Sequence, residues 1–339
     1  MMISFTNNLF FLMMLLGSLI TMSSSSWFMA WIGMEINLMG FIPLISSHSN
    51  KRYSEASMKY FFIQSIASSI FLFSFLLSFS FLSIIHSISM NPWMISSIMI
   101  LSLTVKLGAS PFHMWLPTIS EGLSWMNCFI LMTWQKIAPL SMFSLINQKS
   151  LTMLMIIFLS AISGSIGGLN QTSLRKIMAF SSISHMAWIL ASMYFSKTLW
   201  IMYLLIYSIL IFSIIYNFLF LNIFHINQIF TNQNNNFNMF ILINFFSLGG
   251  LPPFFGFLPK WLIIIQLIQN NMMFLTFTLI SSALINLYFY TRISYSSILM
   301  FNNNNKWMKT KKFIPLSHSI LLMISSFGLI LTSMLFSSI

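Results

Sequence analysis

Residues 238–268 read NMFILINFFSLGGLPPFFGFLPKWLIIIQLI, an apolar run broken by Gly249, Gly250, Pro252, Pro253, Gly256 and Pro259 and carrying one charge, Lys260. A transmembrane helix needs about 20 apolar residues, so the run is long enough to cross a bilayer with an interruption inside it. Proline removes an amide donor and strains the preceding turn, which frees carbonyl groups. Inside a membrane such irregular backbone is tolerated only where it is buried in protein or lines a cavity. A plain kink would account for the prolines alone; a lysine beside them favours a functional break.

The rest of the chain has the same character. Its 339 residues are 58% hydrophobic and only 5% charged, against about 25% charged in a soluble domain. Fifteen bases and three acids cannot build a water-facing surface for a chain this long, so lipid must cover most of it. Apolar runs at 3–21, 25–46, 58–85, 93–115, 123–146, 151–169, 177–195, 198–223, 238–268, 272–299 and 314–336 predict an all-α integral membrane protein of about eleven transmembrane helices. The third and ninth runs are long enough to be tilted or broken. The whole chain, 1–339, reads as one transmembrane domain without an extramembrane part. The Asn-rich stretches 232–238 and 302–305 read as short polar loops.

The charge balance excludes other classes. A net charge of +12 could signal nucleic-acid binding, but the bases sit at run ends or alone within apolar segments. Lys51, Arg52, Arg175, Lys176, Lys306, Lys309, Lys311 and Lys312 fall on one side of the predicted topology, against Lys149 and Lys197 on the other. The positive-inside rule places the basic loops and the N-terminus on the side of synthesis; an odd helix count puts the C-terminus across the membrane. The N-terminal run has no basic leader and no cleavage site, as expected of a protein made where it inserts. One cysteine, Cys128, excludes an internal disulfide or a cysteine-held cluster. No group of His, Cys and carboxylates has metal-ligand spacing, and no glycine-rich phosphate loop is present.

Four ionisable residues lie near the middle of apolar runs: Glu35 in AWIGMEINLMGF, Lys106 in LSLTVKLGASPF, Lys136 in ILMTWQKIAPL and Lys260. Each costs about 2.5–3.5 kcal/mol at a helix centre. Snorkelling to an interface is the ordinary fate of a membrane lysine, but apolar residues flank each of these on both sides. A polar interior path explains them better. Burial favours the neutral form of a lysine and an adjacent carboxylate favours the charged one, so such groups can load and release protons. Lys106, like Lys260, adjoins a break, here Gly108, Ala109, Ser110 and Pro111, and paired broken helices point to a transport site. His185, in FSSISHMAW, is a further proton-path candidate or a hydrogen-bonded core histidine. Glu55 and Lys59 are spaced to pair on one helix face, and Glu121 is placed to favour a helix N-terminus.

The segments EINLMGFIPL (35–44), KLGASPFHMWLP (106–117), TWQKIAPL (133–140), GGLNQTSLRKIMAFSSISHMAW (167–188) and LGGLPPFFGFLPKW (248–261) resemble, in order and over essentially the full length, the NADH dehydrogenase subunit 2 family. These are mitochondrially encoded antiporter-like subunits of respiratory complex I. The Phe-, Met- and Asn-rich composition is insect-like.

The resemblance implies an antiporter-like fold of two inverted five-helix repeats, 1–146 and 151–300, with broken helices near Pro111 and Pro252/Pro253 and a final helix at 314–336. It implies proton translocation, with Glu35 and Lys106 as the paired acid and base, Lys136 as the connecting lysine and Lys260 at the second broken helix. NADH, FMN, iron–sulfur clusters and ubiquinone would belong to other subunits, leaving this chain without a cofactor. Its partners would be other membrane-arm subunits, antiporter-like and small, together with accessory subunits and lipids of the mitochondrial inner membrane. A free-standing cation/proton antiporter would use the same charges, but the absence of aspartate argues against its acid-rich cation pocket. A purely structural subunit gains nothing from four costly charges.

Overall fold

The computed structural model describes residues 2–46, 51–83, 92–146, 150–196, 198–230, 235–299 and 326. The expected final helix at 314–336, save one residue, and the loop lysines Lys149, Lys197, Lys306, Lys309, Lys311 and Lys312 lie outside them. Among the described residues the elements are helices: α1 (Met2–Ser23), α2 (Trp27–Ile45), α3 (Lys51–Ser83), α4 (Pro92–Leu107), α5 (Trp115–Glu121), α6 (Trp125–Met132), α7 (Trp134–Phe143), α8 (Leu151–Leu169), α9 (Leu174–Phe195), α10 (Leu199–Leu221), α11 (Ile226–Phe230), α12 (Asn235–Gly249), α13 (Phe257–Gln269) and α14 (Met273–Leu299). Seven of them are long and apolar enough to cross a membrane, and α4, α12 and α13 are shorter apolar helices. The chain divides into two compact units, Met1–Ser160 and Ala161–Ile339.

In the first unit α1 and α2 form a tightly packed hairpin. Ser26 caps α2 by accepting from the Met29 amide. Glycines let the two backbones approach: a Cβ on Gly17 would lie 2.5 Å from the Asn37 nitrogen, and one on Gly40 would lie 2.7 Å from that of Met14. The outer face of α1 shows Leu9, Leu12, Leu16 and Leu19, a helical stripe of exposed leucines that suits lipid. Helix α2 packs on α3 and α7, and α4 packs on α3 and α7.

The fourth run is broken as expected near Pro111. Helix α4 stops at Leu107, where Gly108 adopts φ 68°. The Gly108 amide bonds the Val105 carbonyl and the Ala109 amide bonds that of Thr104, the paired bonds of a glycine-capped helix end. The Val105 carbonyl also accepts from the Trp115 indole at 3.1 Å, and one further carbonyl, that of Lys106, accepts from Gln64 at 3.3 Å. The fifth run, expected as one helix, is two. Thr133, at φ −119° and ψ −71°, stands between the two and turns its hydroxyl onto the Phe129 carbonyl at 2.7 Å, a back-bond that bends helices.

In the second unit α9 is the central helix, buried almost throughout, and packs on α10, α13 and α14. The ninth run breaks after Gly249. Gly250 takes φ 77°, its amide bonds the Ser247 carbonyl, and the Leu251 amide bonds that of Phe246, the same cap as at Gly108. A Cβ on Gly256 would overlap the Ser247 carbonyl, so the two ends of the interruption press together. Arg292 of α14 donates to the carbonyls of Leu169, at 2.6 Å, and Gln171, at 2.8 Å, holding the turn between α8 and α9.

Candidate functional site

The first unit brings Glu35 and Lys106 together. Lys106 is in the last turn of α4, beside the break, and its side chain is 4% exposed. Its Nζ lies 3.8 Å from Oε1 of Glu35, on α2, and 3.8 Å from the Met34 sulfur. That Glu35 oxygen is buried and accepts no hydrogen bond among the described residues, so the ion pair is its compensation.

Lys106 also lines a cavity of about 20 Å3 with Asn37, Tyr60, Gln64, Gln135, Met34, Leu38, Ala138 and Pro139. Three of the polar side chains form a chain across α3, α7 and α2. The Tyr60 hydroxyl donates to Gln135 Oε1 at 3.2 Å, and Gln135 Nε2 donates to Asn37 Oδ1 at 3.1 Å. Sequence reading singled out none of Asn37, Tyr60, Gln64 and Gln135. The signal available was the same as for the lysines, polar groups within apolar runs, and Gln135 directly precedes Lys136.

Lys136 is 3% exposed, in the first turn of α7. Glu55 and Lys59 form no ion pair within 4.0 Å; with Arg52, Thr118 and Glu121 they line a surface cavity of about 330 Å3. Glu121 ends α5 and precedes the Ser124 cap of α6.

In the second unit Lys260 sits in the first turn of α13 and is 5% exposed. Its Nζ donates to the carbonyls of Gly249, at 2.7 Å, and Leu248, at 3.1 Å, which the break at the end of α12 leaves without helical partners. A cation at a helix C-terminus also meets the negative end of its dipole. His185 lies on buried α9, with Nδ1 2.7 Å from the Tyr203 hydroxyl and its ring 5.0 Å from that of Tyr207, both on α10. The neighbouring Ser184 accepts from Asn286 of α14 at 2.9 Å. Each unit thus holds a buried lysine at a helix break, and each also holds buried hydrogen-bonded polar side chains. Among the described residues no group of three or more His, Cys, Asp or Glu side chains could hold a metal ion.

Residues 24–286 match the family model for the NADH:quinone oxidoreductase/Mrp antiporter transmembrane region, and residues 287–336 match that for the NADH dehydrogenase subunit 2 C-terminus. The chain is 46% identical to NADH-ubiquinone oxidoreductase chain 2 of Anopheles gambiae, over 98% of each chain. It is 40% identical to the mouse (Mus musculus) protein of the same name, over 93% of this chain and 94% of that one. A chain of respiratory complex I from Thermus thermophilus has the same fold, with a TM-score of 0.80 at 17% identity, over 96% of this chain and 77% of that one.

Proposed function

The chain belongs to the NADH-ubiquinone oxidoreductase chain 2 family, and from that membership we propose that it is a proton-translocating membrane-arm subunit of NADH:ubiquinone oxidoreductase, respiratory complex I. It is a multi-pass protein whose neighbours are the other antiporter-like and small membrane subunits, accessory subunits and lipid. NADH, FMN, the iron–sulfur clusters and ubiquinone act on other subunits, and electron transfer there drives proton movement here. Its place is the mitochondrial inner membrane, with the N-terminus in the matrix and the C-terminus in the intermembrane space. The regions 1–146 and 151–300 act as two inverted repeats; a glycine-capped helix break beside a buried lysine in each supports that reading.

The observation that carries the proposal is the Lys106–Glu35 pair, 3.8 Å apart, with the lysine buried beside the α4 break and a polar cavity. An opposite charge stabilises a buried ammonium and burial alone destabilises it. Moving Glu35 and Lys106 together or apart therefore loads or releases a proton. Lys136 carries the path from this pair, Lys260 is the equivalent lysine at the second break, and His185 with Tyr203 borders it. The capping of the α12 carbonyls by Lys260 ties the charge of that lysine to the shape of the break.

The test is NADH-driven proton uptake by the complex in liposomes, read with a trapped pH dye beside the rate of NADH oxidation. Lys106→Met is expected to lower the protons moved per NADH while the complex still assembles. Wild-type proton yield from Lys106→Met would leave a structural role for this subunit and sink the proposal.

A further inference from the structure

Lys106 has two unlike neighbours. On one side is the Glu35 carboxylate; on the other is the cavity of about 20 Å3, which Glu35 does not line. A water needs roughly 10–15 Å3 of such volume and two to four polar partners. This cavity offers Lys106, Tyr60, Gln64, Gln135 and Asn37, so it has room and bonding for one water.

The walls are held in place. Gln135 is anchored at both ends of its amide, taking a proton donor from Tyr60 and giving one to Asn37. Gln64 ties its Nε2 to the Lys106 carbonyl, fixing the α4 terminus against α3. Its Oε1 takes no donor among the described residues. Side chains that bond across helices also hold a membrane bundle together, and interhelical glue is the plainer role for the Tyr60–Gln135–Asn37 chain. Glue alone needs neither a cavity on the lysine nor a second glutamine facing it.

We infer that this cavity is a single-water station for Lys106, an alternative partner to Glu35, and that Gln135 is the positioning residue that keeps the water in reach of the lysine. The inference rests on the proton-translocating reading above. With the water present, the ammonium can leave the carboxylate for a hydrogen-bonding partner, so the exchange between partners proceeds without a bare buried charge. No proton need change owner for the station to work; it lowers the barrier to separating the pair.

The experiment uses the complete complex carrying Gln135→Leu, with Lys106→Met made alongside, each studied by cryo-electron microscopy at water-resolving detail and by proton uptake in liposomes. The wild-type map is expected to show one water within hydrogen-bonding reach of Lys106 Nζ and Gln135. Gln135→Leu is expected to lose it. Its proton yield per NADH should fall below that of the wild type, since the pair must then separate with the ammonium left bare. A dry wild-type cavity overturns the inference, and so does wild-type proton yield from Gln135→Leu. Should Gln135→Leu fail to assemble, Gln135→Met takes its place, because it keeps the unbranched shape of glutamine and lacks the amide that would hold the water, and the same outcomes decide. Lys106→Met separates the two levels. A defect there with none in Gln135→Leu overturns the water station alone, whereas wild-type pumping by Lys106→Met removes the functional reading beneath it.

Discussion

Lys260 donates a 2.7 Å hydrogen bond to the carbonyl of Gly249, so the charge at the start of α13 closes the open end of α12. The two half-helices are joined by the side chain as well as by the backbone. Whatever changes the protonation of this lysine therefore changes how the broken helix is held.

Gly250 is the residue that makes this contact possible, and it should not tolerate a methyl group. Its φ of 77° costs an L-residue about 1–2 kcal/mol. A Cβ there would also meet Lys260 Cδ at 2.8 Å and Nζ at 2.9 Å, whereas one on Gly249 has no neighbour nearer than 3.6 Å. Gly250→Ala is expected to lower the thermal midpoint of the complex and its proton yield, and Gly249→Ala to leave the space around Lys260 intact. Equal behaviour of the two in a thermal-shift series would contradict this.

Glu35 and Lys106 should behave as one unit. Singly, Glu35→Gln leaves the buried Lys106 ammonium uncompensated, at about 3–5 kcal/mol, while Lys106→Met leaves a Glu35 side chain that is 23% exposed and costs less. The double variant removes both charges and is expected to be less unstable than the sum of the two, with a coupling of about 0.5–3 kcal/mol. Additive losses in denaturant or thermal unfolding would show that the pair does not interact.

The hydrogen bond between His185 and Tyr203, 2.7 Å long, gives a way to tell a path residue from a packing residue. Tyr203→Phe keeps the ring and removes the hydroxyl, costing about 1 kcal/mol of stability. A slower proton uptake with an unchanged amount of assembled complex is the result expected if His185 takes part in proton movement. Wild-type uptake would make it a core histidine.

The α1–α2 hairpin depends on backbone approach. A Cβ on Gly17 would strike Asn37 at its nitrogen, 2.5 Å away, and Asn37 is also the anchor of Gln135. Gly17→Ala is expected to reduce assembled complex on a native gel and to impair proton yield in what assembles. Gly40→Ala, whose Cβ would press on Met14, should affect assembly chiefly.

How much of this was legible in the sequence differs from feature to feature. Charges at membrane depth announce themselves, so Glu35, Lys106, Lys136 and Lys260 stand out by their position inside apolar runs, and Pro111 and Pro252/Pro253 gave the places of two breaks. The fifth run hid its interruption because Thr133 is an ordinary residue in a helix until its hydroxyl turns on the Phe129 carbonyl. Short α5 and α11 are too brief to stand out from a periodicity.

The cavity was not legible. Asn37, Tyr60, Gln64 and Gln135 lie on α2, α3 and α7, and only packing decides that they meet at one lysine. The expected Glu55–Lys59 pair failed for the opposite reason: spacing permits such a pair on an exposed helix, but water and neighbouring charges compete for both partners.

The contact between Gly256 and the Ser247 carbonyl has one more consequence. A loop whose feet touch has no slack, so the stretch between these residues works as a spacer of set length. Deleting one residue from it would leave composition and hydropathy nearly unchanged. It would nevertheless move the start of α13 relative to the end of α12, and with it Lys260 away from the Gly249 carbonyl that it bonds. Side chains along the spacer are free to vary where they face lipid, while its residue count is as much a part of the site as the lysine itself.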